Sequence, residues 1–351
     1  MNLLVICPNW VGDAVMATPA LRALRRGFPH ARIVGLMRPV IADVLAGSPQ
    51  IDGIFTWNPR SEKRLERTWP VLRALRRERF DLAVLLPNSF HSAAIAWMSG
   101  AKRRVGYRRD GRGFLLTDHL EPRRANGVFV PYPAIDYYLE LAYHLGCPRQ
   151  SFRIELMTSR GDEHAADAVW QAYGIARVDR VIVLNTGGAF GSAKSWPTPY
   201  FGELARQLGS LPGTRVVVLC GPSEIAVARE IVKRAGRDTV HCLADFPVSI
   251  GLSKACVRRA QLMITTDSGP RHFAAAFGVP VITLFGPTHI AWSETHYEKA
   301  LHLQKQVPCG PCQLRECPLD HRCMRELTPR EVLDCAVEWL RRYPVRVPSA
   351  A

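Results

Sequence analysis

Short apolar runs alternate with amphipathic segments along most of the chain. Continuous apolar runs are typical of buried parallel strands, and apolar residues at every third or fourth position are typical of helices. The predicted strands are residues 2–7, 32–37, 53–57, 81–86, 181–184, 215–220, 262–264 and 279–285. The predicted helices are residues 14–26, 40–46, 93–98, 161–173, 200–208, 225–235, 271–277 and 332–342. The alternation predicts an α/β protein with two doubly wound, Rossmann-like halves, joined by a linker near residues 151–160.

The first predicted strand is followed by a turn that contains an acidic residue, Asp13. Aspartate is a favoured N-cap, and capping alone would account for this position. Gly12, however, lets a ligand approach the backbone closely, and the turn lacks the Gly-x-Gly-x-x-Gly pattern of dinucleotide-binding loops. A carboxylate is therefore the notable group here, as a helix cap or as a group that acts on a substrate.

The most informative stretch is residues 265–288, TTDSGPRHFAAAFGVPVITLFGPT. It has the spacing of a strand, a tight turn, a short helix and a second strand, which implies parallel neighbours. Asp267 and Ser268 lie at the turn, with Pro270 at or near the first helical position. Either they cap the helix, or the turn binds the diphosphate of a sugar nucleotide.

A glycine-rich loop, residues 185–197, follows the strand at 181–184 and contains one cation, Lys194. A lysine beside such a loop can contact phosphate, although the Walker pattern is missing. Glu224 follows the strand at 215–220, where it is either a first-turn acid favoured by the helix dipole or a ribose contact. Polar groups at strand ends in both halves place the expected site in the cleft between them.

The net charge of +15 indicates that the protein binds an anionic molecule or surface. Residues 1–149 contain 22 Lys/Arg and 12 Asp/Glu, so most of the excess lies in the first half. Its cations include residues 60–79, most simply a solvated helix face, and a basic hairpin-like region at 102–109. Such a surface attracts nucleic acid, anionic lipid headgroups or a phosphorylated substrate. With neither a signal peptide nor an 18-residue apolar run, we expect a cytoplasmic protein.

Four of the ten cysteines form a cluster, with the spacing Cys-x2-Cys-x4-Cys-x5-Cys. They are Cys309, Cys312, Cys317 and Cys323. Four thiols within fifteen residues could bind zinc, with His321 as a competing ligand, but the spacing is not that of a standard zinc ribbon. The alternatives are a reduced loop or a locally bridged one.

Taken together, five motifs resemble glycosyltransferase family 9, the bacterial ADP-heptose–lipopolysaccharide heptosyltransferases. They are NWVGDAVMATPAL, LPNSFHSA, GGAFGSAKSWP, the 265–288 stretch and CPLDHRCM, and they span nearly the whole chain. The WVGD and LPNSF versions look most like the branch that adds the second inner-core heptose. The resemblance implies the GT-B fold, in which two Rossmann-like domains face a central cleft. It divides the chain into an acceptor-binding domain (1–160), a donor-binding domain (161–325) and a C-terminal helix (326–351) that crosses back to the first domain.

The resemblance also implies an inverting, metal-independent transfer of L-glycero-D-manno-heptose from ADP-heptose to the Kdo–lipid A inner core, without a cofactor. Asp13 would be the general base, and Lys194 would stabilise the departing ADP. The positions that match the donor contacts of the family are Thr186, Gly187, Lys194, Glu224, Asp267, Ser268, Gly269 and His272. His272 could instead be a packed or surface histidine. Candidate acceptor contacts are Arg60, Arg64, Lys102, Arg103 and Arg104.

The partners implied are ADP-heptose and the Kdo–lipid A acceptor, met by a monomer at the inner face of the inner membrane of a Gram-negative bacterium. The alternative within the family is an enzyme that adds the first heptose or a later core heptose. A nucleic-acid-binding protein is a remote alternative, because no nucleic-acid motif accompanies the charge.

Overall fold

The computed structural model describes residues 1–188 and 190–344. The chain forms two compact units. The first contains Met1–Met157 and the short segment Ala291–His296, and the second contains Thr158–Ile290 and the chain from Tyr297 onwards.

The first unit alternates strands and helices. In chain order its elements are β1 (Asn2–Ile6), α1 (Val11–Met16), α2 (Thr18–Gly27), β2 (Arg32–Met37), α3 (Pro39–Leu45), β3 (Gly53–Thr56), α4 (Thr68–Glu78), β4 (Leu82–Leu85), α5 (Phe90–Met98), β5 (Arg103–Tyr107), β6 (Asp118–Leu120), β7 (Arg124–Ala125), β8 (Val128–Phe129) and α6 (Ala134–His144). Strands β1 to β6 form a sheet in the order β3-β2-β1-β4-β5-β6, and every neighbouring pair is parallel.

The second unit repeats this arrangement. Its elements are α7 (Arg160–Ala172), β9 (Arg180–Asn185), α8 (Thr198–Leu208), β10 (Thr214–Leu219), α9 (Ile225–Ala235), β11 (Val240–Cys242), α10 (Ile250–Arg258), β12 (Leu262–Thr266), α11 (Arg271–Ala276), β13 (Val281–Phe285), β14 (Ala300–Gln304), α12 (Arg322–Arg325) and α13 (Pro329–Arg342). The sheet order, β11-β10-β9-β12-β13-β14, is again parallel throughout. The prediction of two Rossmann-like halves is confirmed.

The apolar runs form strands because helices cover both faces of each sheet. Every residue of β12 and β13 is buried, as is β1 after its first residue. In both sheets the strand order reverses between the first and the fourth strand, β1 and β4 or β9 and β12. The loops at the carboxyl ends of these pairs diverge there, and in open α/β sheets such crevices bind ligands.

Two local predictions are wrong. The helix expected at 14–26 is interrupted at Ala17, because Pro19 has no N–H to donate and is tolerated only in the first turn of a helix, here α2. The hairpin-like region at 102–109 is instead β5, which pairs in parallel with β4 and β6. The hairpin of this unit is the β7–β8 pair, with Asn126 and Gly127 at positive φ in its turn.

The terminal helix α13 begins as predicted, with the Thr328 side chain accepting a hydrogen bond from the Glu331 N–H. It contacts α8 and β12 of the second unit. Its return to the first domain stays a prediction, as does the three-part division of the chain, and residues 345–351 lie outside the described part. No helix among the described residues is long and apolar enough to cross a membrane.

Candidate active site

A polar cluster occupies the point where the strand order of the second sheet reverses. Asn185, the last residue of β9, donates hydrogen bonds from Nδ2 to Thr265 Oγ1 (3.0 Å) and Ser268 Oγ (2.8 Å). The two hydroxyl oxygens are 3.2 Å apart. These contacts hold the loop after β12 against the loop after β9, so Ser268 has a defined orientation.

Asp267 lies beside Ser268 and is surrounded by donors. Lys194 Nζ donates to its Oδ2 at 2.6 Å and Thr288 Oγ1 donates to the same oxygen at 2.7 Å. Arg271 Nε lies 3.9 Å from the other oxygen, Oδ1. Burial opposes ionisation, but the charges of Arg271 and Lys194 outweigh it and lower the pKa of Asp267 to about 2. Two cations therefore lie against one buried carboxylate.

The capping explanation for Asp267 and Ser268 is wrong. Pro270 is the N-cap of α11, and no side chain caps the helix. The Ser268 and Asp267 side chains bond to Asn185 and Lys194 instead. Gly269, the next residue in the turn, accepts a backbone hydrogen bond from the His272 N–H.

His272 is buried rather than on the surface, 4% exposed, and its Nε2 lies 3.3 Å from Arg271 Nε. His272 is therefore a packed histidine, one of the alternatives that the sequence left open. It lies beside the charged cluster that contains Asp267 and Arg271.

The loops after β9 and β10 meet at Gly187. A Cβ at this position would overlap the Glu224 carboxylate, so any larger residue would displace that carboxylate. Glu224 lies in a 3₁₀ turn, Pro222–Glu224, and its Oε2 accepts a hydrogen bond from Gly221 N at 2.8 Å. Next to Gly187, the buried Thr186 Oγ1 has no partner within the described residues. A carboxylate and an unsatisfied hydroxyl thus lie on either side of a glycine, an arrangement suited to a ligand with hydroxyl and phosphate groups.

The glycine-rich loop forms hydrogen bonds with the segment that bears the clustered cysteines. Ala193 N donates to Arg315 O at 3.0 Å, and His321 Nε2 lies 2.7 Å from Ala193 O. Lys194 Nζ lies 4.5 Å from the centre of the Phe190 ring. Ala189, part of the GGAFGSAKSWP motif, lies outside the described residues.

The four clustered cysteines line one small cavity of about 20 Å³. Burial and the three neighbouring thiols raise the pKa of Cys323. All ten cysteines are free. Among residues 1–188 and 190–344, no three His, Cys, Asp or Glu side chains are arranged to hold a metal ion. The structure therefore places four unbridged thiols around one cavity, next to the loop that bears Lys194.

Asp13 belongs to the first unit, in the first turn of α1 after β1. It is not the N-cap, which is Trp10, and no side-chain hydrogen bond caps this helix. The capping explanation is therefore wrong here as well. Its carboxylate lies close to Tyr138 on α6, where burial first and the Asp13 charge second raise the pKa of the phenol. Asp13 is half-buried, so its carboxylate can meet a ligand.

The loop after β4, residues 87–92, is organised by a buried arginine that the sequence analysis missed. Arg112 is fully buried and donates to Pro87 O, Ser92 Oγ (2.9 Å) and Asn88 Oδ1 (3.2 Å). No carboxylate lies within ion-pair distance of it among the described residues. The only apparent signal was its place in an arginine-rich run.

The structure thus brings together all the predicted donor residues in the second unit. The contacts it adds are Asn185, Thr265, Arg271 and Thr288. All four follow or end apolar strands, so polar residues at strand ends were the signal that could have identified them. In the first unit, Asp13 follows β1, one of the two strands between which the order of that sheet reverses. Chemically, the polar cluster of the second unit can bind an anion, and the Asp13 carboxylate of the first unit can accept a proton.

Comparison with known proteins gives a consistent picture. A profile of glycosyltransferase family 9 (heptosyltransferase) matches residues 68–322. Lipopolysaccharide heptosyltransferase 2 of Escherichia coli K12 is 27% identical over 350 residues, which cover 95% of this chain and 97% of that protein. Lipopolysaccharide heptosyltransferase 3 of the same strain is 26% identical over 303 residues, 80% of this chain and 81% of that protein.

The fold is shared with a solved structure. The chain superposes on E. coli ADP-heptose lipopolysaccharide heptosyltransferase II with a TM-score of 0.79 at 24% identity, over 98% of this chain and 100% of that one. The predicted GT-B fold is thereby confirmed.

Proposed function

Because this chain belongs to glycosyltransferase family 9, the heptosyltransferases, we propose that it transfers L-glycero-D-manno-heptose from ADP-heptose to the first heptose of the lipopolysaccharide inner core. The observation that carries the proposal is the similarity to lipopolysaccharide heptosyltransferase 2 along nearly the full length of both proteins. The similarity to heptosyltransferase 3 covers less of each chain. Membership of an enzyme family removes the support for a nucleic-acid-binding protein.

The donor binds to the cluster of the second unit. Lys194 and Arg271, which both lie against Asp267, attract the diphosphate. When the glycosidic bond breaks, negative charge builds up on ADP, and preorganised cations stabilise it without reorganising. Glu224, over Gly187, accepts hydrogen bonds from the ribose hydroxyls, and the Thr186 hydroxyl donates to a phosphate oxygen.

Asp13 is the general base. It takes the proton of the acceptor hydroxyl while that oxygen attacks the anomeric carbon and ADP leaves from the opposite face, which inverts the configuration. A carboxylate suits the task because a single proton must leave as the nucleophile forms, and such assistance contributes about 10²- to 10⁴-fold to the rate. Its position in the first turn of α1 fixes the direction of its side chain.

The acceptor is the Kdo–lipid A inner core, which carries carboxylates and phosphates. The excess of Lys/Arg in residues 1–149, 22 against 12 acids, attracts such a molecule. The enzyme acts as a monomer in the cytoplasm, at the inner face of the inner membrane where this acceptor is presented.

The proposal is tested by transfer from ADP-heptose to two purified acceptors, Kdo–lipid A with and without the first heptose. We expect turnover only on the acceptor that carries the first heptose. The variant Asp13→Asn should lower kcat about 10²- to 10⁴-fold with unchanged affinity for ADP-heptose. The control Asp238→Asn, at an exposed position before β11, should retain the wild-type rate.

Activity on the heptose-free acceptor alone would reassign the protein to the enzyme that adds the first heptose. Full turnover by Asp13→Asn would refute Asp13 as the base and leave the family assignment intact.

A further inference from the structure

The first unit carries several exposed aromatic side chains. Among the described residues, the exposed tryptophans and phenylalanines are Trp10, Trp69, Phe90, Trp97, Phe114, Phe152 and Trp292, and all belong to the first unit. The large exposed apolar residues of the second unit are aliphatic: Val178, Val227, Leu314 and Leu319. Single exposed apolar residues are normal on any surface, but such a separation by type and by unit is not.

Five of the exposed apolar residues of the first unit lie on connections that follow β3, β4, β5 and β6. They are Leu65, Trp69, Phe90, Phe114 and Val128, and we call them the apolar rim. Leu65 and Trp69 are 81% and 76% exposed, Phe114 is 76% and Val128 is 70% exposed. Phe90 is 49% exposed, so all five present apolar surface to solvent.

A chain of contacts makes the rim continuous. Thr68, next to Trp69, accepts a hydrogen bond from Trp57 Nε1 at 3.3 Å, and the Trp57 ring stacks on His91 at 5.2 Å. The neighbour of His91 is Phe90, whose ring lies 6.1 Å from Phe114.

The connection after β5, which carries Phe114, also contacts the β7–β8 hairpin through Arg109. The Arg109 guanidinium covers the Phe129 ring at 3.9 Å, and Val128 lies next to Phe129 at the tip of the hairpin.

Cations alternate with these apolar residues. Apart from the buried Arg112, residues 58–69, 108–115 and 121–130 contain eight Lys/Arg and four Asp/Glu. Lys63 is 82% exposed at its side chain, and Arg108 is 62% exposed. Arg124 also lies over the Phe129 ring, 4.5 Å from its centre. A partner for this surface must accept apolar side chains and positive charges next to one another.

We infer that the apolar rim docks the enzyme onto an anionic lipid bilayer. A bilayer interface takes tryptophan and phenylalanine among the headgroups and attracts lysine and arginine through its negative surface potential. A protein partner would be expected to meet a groove or a compact apolar patch, whereas these tips are separated by charged residues. The inference deepens the proposed function, because it explains how a soluble fold reaches a lipid-linked acceptor, but its test needs neither donor nor acceptor.

The test uses the full-length protein and sedimentation with vesicles of phosphatidylethanolamine and phosphatidylglycerol, compared with phosphatidylcholine alone. The protein should partition at least tenfold more strongly onto the anionic vesicles, and salt should weaken the binding. The rim variant Leu65→Ser/Trp69→Ser/Phe114→Ser should lose at least tenfold in partitioning. The matched variant of the second unit, Val178→Ser/Val227→Ser/Leu319→Ser, should bind like the wild type.

A second measurement locates the contact and does not depend on the triple variant being folded. Brominated lipids should quench part of the tryptophan fluorescence, and Trp69→Phe should remove that part. Trp97→Phe, which changes an exposed tryptophan at the other end of α5, should leave it unchanged. Equal loss of binding by the rim variant and its control, or quenching that depends on Trp97 and not on Trp69, would overturn the inference.

The two proposals fail separately. If the protein transfers no heptose and still binds anionic vesicles through the rim, the proposed function is wrong and the docking surface stands. If it transfers heptose but does not bind these vesicles, the docking surface is wrong. If both hold, the rim variant should turn over a delipidated acceptor normally and lose at least tenfold in rate on the vesicle-embedded one.

Discussion

Replacing Asp267 by asparagine tests how the charged cluster of the second unit is held together. Asparagine keeps the shape and can still accept the Thr288 hydrogen bond, but it removes the charge that faces Lys194 and Arg271. The pKa of Asp267 is about 2 in the folded protein. Set against about 3.9 in an unfolded chain, the shift is worth about 2.5 kcal/mol at neutral pH. Breaking a buried pair by removing one partner costs about 3–5 kcal/mol. We therefore expect Asp267→Asn to lower the free energy of unfolding by about 2–4 kcal/mol.

The same reasoning fixes the direction of the pH dependence. Because the pKa of Asp267 is lowered by folding, its carboxylate stabilises the folded protein fully above the unfolded value near 3.9. That contribution is lost as the pH falls from about 4 to about 2. The difference in the free energy of unfolding between the wild type and Asp267→Asn should thus be constant between about pH 5 and about pH 7. It should shrink below about pH 4.

The assay is urea unfolding followed by circular dichroism at a series of pH values. Asp320→Asn serves as the control, since Asp320 pairs with Arg322 at 2.7 Å on the exposed surface, where ion pairs contribute little. A variant as stable as the wild type at pH 7, or a difference that persists unchanged at pH 2, would refute the electrostatic account of the cluster.

Two further predictions concern the loops beside the two sites. Gly187→Ala should weaken ADP binding about tenfold or more, because its methyl group overlaps the Glu224 carboxylate, whereas Gly188→Ala, whose Cβ would meet Ser268 Cβ at 3.6 Å, should bind ADP normally. Calorimetric titration with ADP distinguishes the two, and equal affinities would contradict the assigned contact. Arg112→Lys, which cannot bond the whole 87–92 loop, should destabilise the protein by about 2–3 kcal/mol and raise the KM for the acceptor without changing ADP affinity. A thermal melt together with acceptor and donor titrations checks this, and a change in ADP affinity alone would contradict it.

Much of the fold was readable from the order of residues. Parallel strands buried on both faces need continuous apolar runs, and β1, β12 and β13 therefore stand out in the sequence. The elements that were missed include α6, α10, α12, β6, β7, β8 and β14. The partly buried β14, at the sheet edge, mixes polar and apolar residues, which gives a weaker signal.

The error at residues 102–109 has a physical cause. Arg103 and Arg104 make β5 look like an exposed connection, but Arg103 pairs with Asp118 at 2.8 Å and Arg104 donates to Leu115 O at 2.7 Å. A strand can begin with such residues when neighbouring chain segments supply their partners. Those partners are 11 and 15 positions away and cannot be identified from local pattern.

The sequence by itself determined the α/β class, the two Rossmann-like halves and the positions of Asp13, Lys194 and Asp267 at strand ends, because hydrophobic periodicity and turn chemistry are local properties of the chain. Only the tertiary structure decided what those side chains do. Lys194 and Asp267 are 73 residues apart in the chain, and their contact exists because β9 and β12 are neighbours in the sheet. The choice between capping a helix and forming a charged cluster was made by that pairing, since it brings Lys194 to a buried carboxylate that already has Arg271 four residues away in the chain.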